Sequence, residues 1–494
     1  MYFLGYDIGS SSIKAALVNA DSLEEVAVVK YPEHEQPIHS ENEGWAEQDP
    51  EDWWKNLVHA TDLLLTKTGV DGALIVSIGI AYQMHGLVLV DEDQNVLRPS
   101  IIWCDSRAVD IGNEANEYLG NEFCLNHLLN SPGNFTASKL GWMKKNEPEI
   151  YKKVFKFMLP GDYIAMKLTG EITTTIGGLS EGIFWDFKNK SISQELLEYL
   201  GIDSQMIPDI VEGIGHQGRL SDLTASTLGL KAGIPIAYRA GDQPNNAMAL
   251  NVLKPGELAA TGGTSGVIYG VTDQPTYDLK SRVNGFAHVN YTQEKDSIGI
   301  LLCINGAGIQ YSWVRKMLGK ELTYGQIEQQ IENIEIGAEG LSFLPFGNGA
   351  ERIFENKTVG SHLLGIDLNR HHQSHVFRAT IEGIAFAFVY GARIMESMRI
   401  PLKTMKVGND NLFQSKVFSK TIATLLNCNI EVYNTTGAYG AAKASGVGAG
   451  FIRSMDEAMS KQNLVNTIEP DGNSQHYQKG FEIWSRRLEK QLKA

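Results

Sequence analysis

Apolar residues along this chain fall into short runs that end on glycine or small polar residues. Between them lie longer stretches in which apolar positions recur every three or four residues. The first pattern is that of buried strands closed by tight turns, the second that of helices with one buried face. Tyr2–Tyr6 and Ile13–Val18 read as strands joined by an Asp-Ile-Gly-Ser-Ser-Ser turn, and Leu74–Tyr82 and Gly86–Val90 as two more. Asp52–Lys67, Lys139–Asn146, Ile150–Phe157 and Pro160–Leu168 read as helices. The strand Ile234–Ala240 runs into a helix over Gln243–Leu253, and Glu257–Ala260 and Gly266–Val271 flank a Gly/Thr/Ser turn. Val376–Ser397 and Gln414–Asn427 complete the helices. Strands alternating with helices make this an α/β chain.

Two strand pairs echo one another. Asp7–Val18 and Ala259–Val271 are each strand, short Gly/Ser/Thr loop, strand, about one domain length apart. Neutral loops of this kind let backbone N–H groups approach phosphate oxygens without Cβ hindrance, so two of them facing across a cleft could grip a polyphosphate.

The chain has 494 residues, more than one ordinary core holds, so two domains are expected. A net charge of −15 disfavours nucleic acid or an anionic membrane as partner. Cys104, Cys124, Cys303 and Cys428 are scattered, with no CxxC pair to suggest zinc or a disulfide framework. The N-terminus lacks the basic and long apolar regions of a signal peptide, and no apolar run is long enough to span a bilayer. A cytoplasmic protein is the expectation.

Several clusters could carry chemistry. Asp7 ends a strand and is followed by Gly9, Ser10, Ser11, Ser12 and Lys14. A carboxylate there can hold Mg²⁺ through water while the serines and Lys14 meet phosphate oxygens. An Asx-type turn that merely closes a hairpin is the plainer alternative. Asp242 is delivered by its strand to a helix start, where it can accept a proton from a substrate hydroxyl, or simply act as an N-cap. Tyr82-Gln83-Met84-His85-Gly86 and Trp103-Cys104-Asp105-Ser106-Arg107 can hydrogen-bond a polyol while an indole stacks on its carbons. A turn histidine and an Asp105–Arg107 ion pair would account for them equally well. His371, His372 and His375 read as surface. No GxxxxGK[ST] string occurs, which argues against a P-loop. Gly446–Gly450 (GVGAG) reads as close helix packing and not as a dinucleotide loop.

In order, these segments resemble the FGGY family of carbohydrate kinases, within the actin-like ATPase superfamily, over nearly the whole chain. DIGSSSIK (Asp7–Lys14) resembles its first phosphate loop and Gly263-Thr264-Ser265 its second. Thr136–Trp142 and Ser361–Glu382 are similar to its two signatures, and Asn305–Trp313 to the segment that meets the nucleotide's phosphates and ribose. Two positions depart from the pattern: Asn134 in the first signature, and Gly408-Asn409-Asp410-Asn411 where the adenosine segment is usually richer in glycine.

The resemblance implies a two-lobed actin-like (ribonuclease H-like) α/β fold with a central cleft. Residues 1–245 would form the sugar-binding lobe with the first phosphate loop, and 246–494 the nucleotide-binding lobe, closing on a hinge near Asp242–Gly256. It implies ATP and Mg²⁺ as cofactors, with Asp242 as catalytic base and the metal near Asp7 and Asp242. Gln83, Met84, His85, Trp103, Asp105 and Asp242 would contact the sugar. Asp7, Ser10, Ser11, Ser12, Lys14, Gly263, Thr264, Gly308, Gly408 and Asn411 would contact the nucleotide. Gln-Met-His-Gly is similar to the branch of the family that acts on D-xylulose, so phosphoryl transfer from ATP to its 5-hydroxyl is expected. Kinases of ribulose, fuculose or gluconate are the alternatives, with an actin-like ATP-driven switch or a sugar-sensing regulator behind them. The sequence does not show the oligomeric state, and a homodimer is one of the assemblies open to it.

Overall fold

The computed structural model describes residues 1–461 and 463–493. Its first sheet has five strands: β1 (Tyr2–Ile8), β2 (Ile13–Asn19), β3 (Glu25–Tyr31), β4 (Ile75–Tyr82) and β5 (Ile236–Gly241). Their spatial order is β5-β4-β1-β2-β3. β1 and β2 form an antiparallel hairpin in which Asp7 faces Lys14, while β1, β4 and β5 run parallel. The register sets Ile8 beside Tyr82 and Tyr82 beside Gly241. Three parallel strands therefore end on one line. The segments that follow them meet at that edge, where open α/β sheets bind ligands.

The second sheet has seven strands: β6 (Leu258–Gly262), β7 (Gly266–Thr272), β8 (Asn284–Ala287), β9 (Ile298–Ile304), β10 (Thr404–Gly408), β11 (Asn429–Asn434) and β12 (Asn463–Ile468). Their order is β8-β9-β7-β6-β10-β11-β12. Without the edge strands β8 and β12, the path β9-β7-β6-β10-β11 repeats the first sheet, down to its antiparallel hairpin and two parallel neighbours. The echo between the two Gly/Ser/Thr loops is thus part of a duplicated architecture.

The helices α1 (Pro50–Thr68), α2 (Thr136–Asn146), α3 (Asp242–Ala249), α4 (Gly308–Leu318), α5 (Gln373–Ser397) and α6 (Gly437–Gly448) frame the two sheets. α1 starts where Asp49 accepts from the Glu51 amide ahead of Pro50, and it stops at Gly69, which is left-handed (φ 65°). α6 belongs to the second half of the chain yet packs on the first sheet. Gly5 and Gly79 permit this: a Cβ on either would run into the backbone of Ala438, Ala441 or Ala442. A Cβ on Gly448 would likewise meet the Ala237 carbonyl, so GVGAG is indeed a packing surface.

Two expectations need correction. Ile150–Phe157 is not a helix: a short helical turn, Pro148–Tyr151, gives way to a strand, Lys156–Met158, that pairs with Val88–Val90. Tertiary pairing overrides local propensity there. His375 is not on the surface but buried, its Nδ1 accepting from the His372 amide and its Nε2 3.3 Å from Glu339.

Candidate active site

The first loop follows β1 as a tight turn in which Gly9 donates its amide to the Ser12 carbonyl, 3.1 Å away. Ser11 is exposed, Ser10 and Asp7 are partly so, and Ser12 is buried. Lys14 Nζ lies 3.3 Å from Asp7 Oδ2. Asp7 first, then Asp410 and Asp242, hold the Lys14 ammonium above its usual range, against the opposing effect of burial. One lysine thus feels carboxylates from the first loop, from the start of α3 and from the segment after β10.

Asp242 is the first residue of α3. The N-cap position belongs to Gly241, so the plain N-cap alternative does not apply. Burial and, after it, the Asp7 carboxylate push the Asp242 carboxyl from 3.8 up to about 7, while Gln243 and Lys14 oppose the rise. A carboxyl poised near neutrality can both take and release a proton there. Glycine is required just before it, since a Cβ on Gly241 would lie 2.6 Å from both Glu181 Oε2 and Met84 Cγ.

The Gln-Met-His-Gly turn continues β4. The Gln83 amide donates to the Ile8 carbonyl at 2.8 Å, tying this turn to the first loop. His85 adopts a left-handed backbone (φ 62°). Its Nδ1 is 2.9 Å from the Glu181 carbonyl, and its ring packs between Phe135 and Phe286. A carbonyl only accepts, so Nδ1 carries the proton and Nε2 is left as an acceptor. Burial, followed by the nearby Lys139 charge, drives the His85 imidazole down to about 3, which keeps it neutral.

Trp103 is half exposed, with Nε1 3.4 Å from Ser10 Oγ. Asp105 has no exposed surface. Both its oxygens accept from the Arg107 side chain at 2.7–3.0 Å, and Oδ2 also accepts from the Ala46 amide at 2.6 Å. This geometry supports the ion-pair alternative: Asp105 braces the Trp103 loop.

In the second half, the amides of Gly308 and Ile309 donate to the carbonyls of Gly263 and Thr264, both at 3.0 Å. The second loop and the start of α4 are therefore one unit. A Cβ on Gly262 would lie 2.9 Å from Leu412, so the segment after β10, in which Asn411 is left-handed (φ 50°), packs beside the strand that leads into the second loop. The charge of Asp410, between Gly408 and Asn411, is felt by Lys14 of the first loop.

No group of three or more His, Cys, Asp or Glu that could hold a metal occurs among the described residues. Mg²⁺ needs less: one or two carboxylates, water and substrate phosphates. Asp7 and Asp242 fit it, since the two carboxylates repel and a cation between them would relieve that.

Sequence reasoning missed several residues. Lys139 of α2 is fully buried and donates to the carbonyls of His85 (2.8 Å) and Ile102 (2.9 Å), clamping both sugar-side loops. Burial drives its ammonium down to about 7. The Glu181 carboxyl is held well above the usual carboxylate range, by burial first and then by Asp242 and Asp162. Asn134 donates to the Asp105 carbonyl. The one local signal was a lysine set among small and apolar residues in Thr136–Trp142. A cavity of about 400 Å³ reaches Met84, Glu181 and Gly241 from between the lobes. A larger one, about 770 Å³, lies around Trp54 and Lys167 and contains none of the candidate residues.

Two duplicated sheets, a phosphate-type loop on each and a near-neutral carboxyl between them define a two-lobed phosphotransferase of actin-like architecture. The family model of the FGGY carbohydrate kinases matches its N-terminal domain over residues 2–249 and its C-terminal domain over residues 258–449. The chain belongs to the FGGY family of carbohydrate kinases. It is 30% identical to a xylulose kinase of Bacillus subtilis (strain 168), over 92% of this chain and 90% of that protein. Among solved structures, a xyloylose kinase from Brucella ovis superposes with a TM-score of 0.89 at 26% identity, covering 98% of each chain. A gluconate kinase from Lactobacillus acidophilus (22% identical, TM-score 0.88) and a Plasmodium falciparum glycerol kinase with ADP (20%, TM-score 0.89) share the fold; each match covers 99% of this chain and 98% of the other. No described helix is long and apolar enough to cross a membrane.

Proposed function

We propose that this carbohydrate kinase transfers the γ-phosphoryl group of ATP to the 5-hydroxyl of D-xylulose. The observation that carries the reading is the Asp242 carboxyl, held near neutrality at the junction of the first phosphate loop and the Gln-Met-His-Gly turn. The sugar would lie against Met84, His85 and Trp103, with His85 Nε2 accepting from one of its hydroxyls. Ionised Asp242 takes the proton of the terminal hydroxyl as that oxygen attacks phosphorus in line. Lys14 and the N–H groups of the two loops bear on the phosphate oxygens. Mg²⁺, when bound near Asp7 and Asp242, supplies charge neutralisation on the transferring group. The choice of D-xylulose is supported by Gln-Met-His-Gly and by the relatives named as xylulose kinases.

A coupled ADP-release assay over D-xylulose, D-ribulose, L-fuculose, D-gluconate and glycerol tests it. D-xylulose should give the highest kcat/KM, by at least about tenfold, a gap of about 1.4 kcal/mol in transition-state binding. A higher value for another member of the panel would reassign the substrate. Sugar-indifferent ATP hydrolysis would remove the kinase reading from this chain.

A further inference from the structure

Two adjacent residues of the first lobe, Glu47 and Gln48, touch every loop of the candidate site that precedes α2. Glu47 Oε1 is 2.6 Å from Arg107 Nη1, and Arg107 in turn holds Asp105 and the Trp103 loop. Gln48 is buried, 3% exposed. Its Nε2 donates to the Ser10 carbonyl of the first phosphate loop at 2.7 Å and to the Pro37 carbonyl at 3.2 Å. Its Oε1 accepts from Trp53 Nε1 of α1 at 3.1 Å and from Gln83 Nε2 at 3.4 Å.

That set uses both donors and both acceptor sites of one primary amide. It also fixes the orientation: a flipped amide would set N–H against N–H at Trp53 and Gln83, and oxygen against two carbonyls. The weak member is the bond to Gln83. Gln83 Oε1 is itself buried without a hydrogen-bond partner. A sugar hydroxyl donating to it would draw on the Gln83 amide, and so on its long bond to Gln48. The next bond along, to Ser10, is short.

We infer that Gln48 is a positioning residue that couples occupancy of the sugar turn to the first phosphate loop, so that sugar and nucleotide tighten each other's binding. The inference rests on the sugar and nucleotide sites proposed above. Coupling of this kind is reciprocal and reads as a ratio of affinities, commonly 5- to 150-fold, or about 1–3 kcal/mol. A merely structural role would weaken both ligands without changing that ratio.

The test is calorimetric. The Kd of D-xylulose (or of the sugar the panel selects) is measured for the full chain with and without a non-hydrolysable ATP analogue and Mg²⁺. The wild type should show at least about fivefold tightening, and Gln48→Met less than about twofold, with each ligand's separate Kd within about threefold. The sugar-free fraction of ATP turnover should rise in the variant. Gln83→Met cuts the other end of the same link and should lose the same ratio, the double variant losing no more than either single one. If Gln48→Met does not fold, Gln48→Glu, which keeps an oxygen toward Trp53 and loses the donor to Ser10, takes its place and should lose the same ratio. Wild-type coupling that survives in the variants overturns the inference, as does a wild type that binds both ligands independently. A wild type that binds no sugar of the panel fails the proposed function instead.

Discussion

At the residue scale, Asp242 makes the sharpest demand. As the proposed base its carboxyl must be ionised to accept a proton, and burial with Asp7 nearby holds it at about 7. The kcat/KM of the wild type, which reports the free enzyme, should therefore rise with pH through about 7 and level off above it. Asp242→Asn should lose at least about a hundredfold in kcat and lose that rising limb, while an ATP analogue still binds. A variant that keeps the limb would show that another group titrates there. Asp242 and Asp7 were legible in the sequence because their meaning is local: a strand end, a glycine, a small polar loop. Lys139 and Gln48 were not. Their partners, His85 and Ile102 for one, Ser10, Trp53 and Gln83 for the other, are remote in sequence, and only the folded chain brings them together. Asp105 shows the converse. Its motif pointed to the sugar, but Arg107 and Ala46 occupy both its oxygens.

At the element scale, α6 joins the halves of the chain by lying on the first sheet. Gly79 of β4 makes this approach possible: an added Cβ would collide with the Ala441 carbonyl and press on Ser445 Cβ. Neither can give way without moving the helix. Gly79→Ala should therefore destabilise by about 1–3 kcal/mol, the usual result of overpacking, read from the denaturation midpoint. Gly325→Ala, on a surface with nothing near its Cβ, is the control and should change little. Strands β1, β2 and β4–β7 were legible because apolar runs stopped by glycine or small polar residues leave few alternatives, whereas β3 and β8–β12 were not. Ile150–Phe157 was not, since its last residues pair with a strand far upstream, Val88–Val90. The second signature is legible as a motif but structural in effect: Glu382 accepts from the Gly337 amide and from Arg378 inside α5.

At the scale of the whole molecule, the repeated sheet was visible only as a faint echo of two loops, because sequence keeps the turns of such a duplication and loses its strands. Its consequence is a cleft where carboxyls from different segments meet, and this sets catalysis against stability. Asp242 has a folded pKa of about 7 against an ordinary 3.8. The folded chain therefore holds that proton more tightly than the unfolded chain does. The stability this confers is fully present below about pH 4 and is lost as pH rises through about 7. Glu351 contributes in the same direction, raised by burial to about 7. The neutral buried histidines His85 (about 3) and His288 (about 4) contribute in the opposite direction, losing stability as pH falls below 6.5. Lys139 gains stability as pH rises above about 7. The raw pH profile of the wild type thus mixes opposing slopes, and the difference between it and Asp242→Asn isolates one carboxyl. Free of ligands, that variant should match the wild type near pH 4 and become the more stable of the two as pH rises. The gap should grow to on the order of 4 kcal/mol by pH 8, because each pH step of one between the unfolded and folded values adds about 1.4 kcal/mol. Mg²⁺ with an ATP analogue should narrow it, because a cation beside Asp7 and Asp242 favours the ionised wild-type pair. A constant gap across pH would mean that Asp242 titrates alike in the folded and unfolded chains, and would take from it the property on which its use as a base depends. A gap that grows as described would show the enzyme giving up stability at the position where it needs a proton acceptor, a recurring trade in active sites.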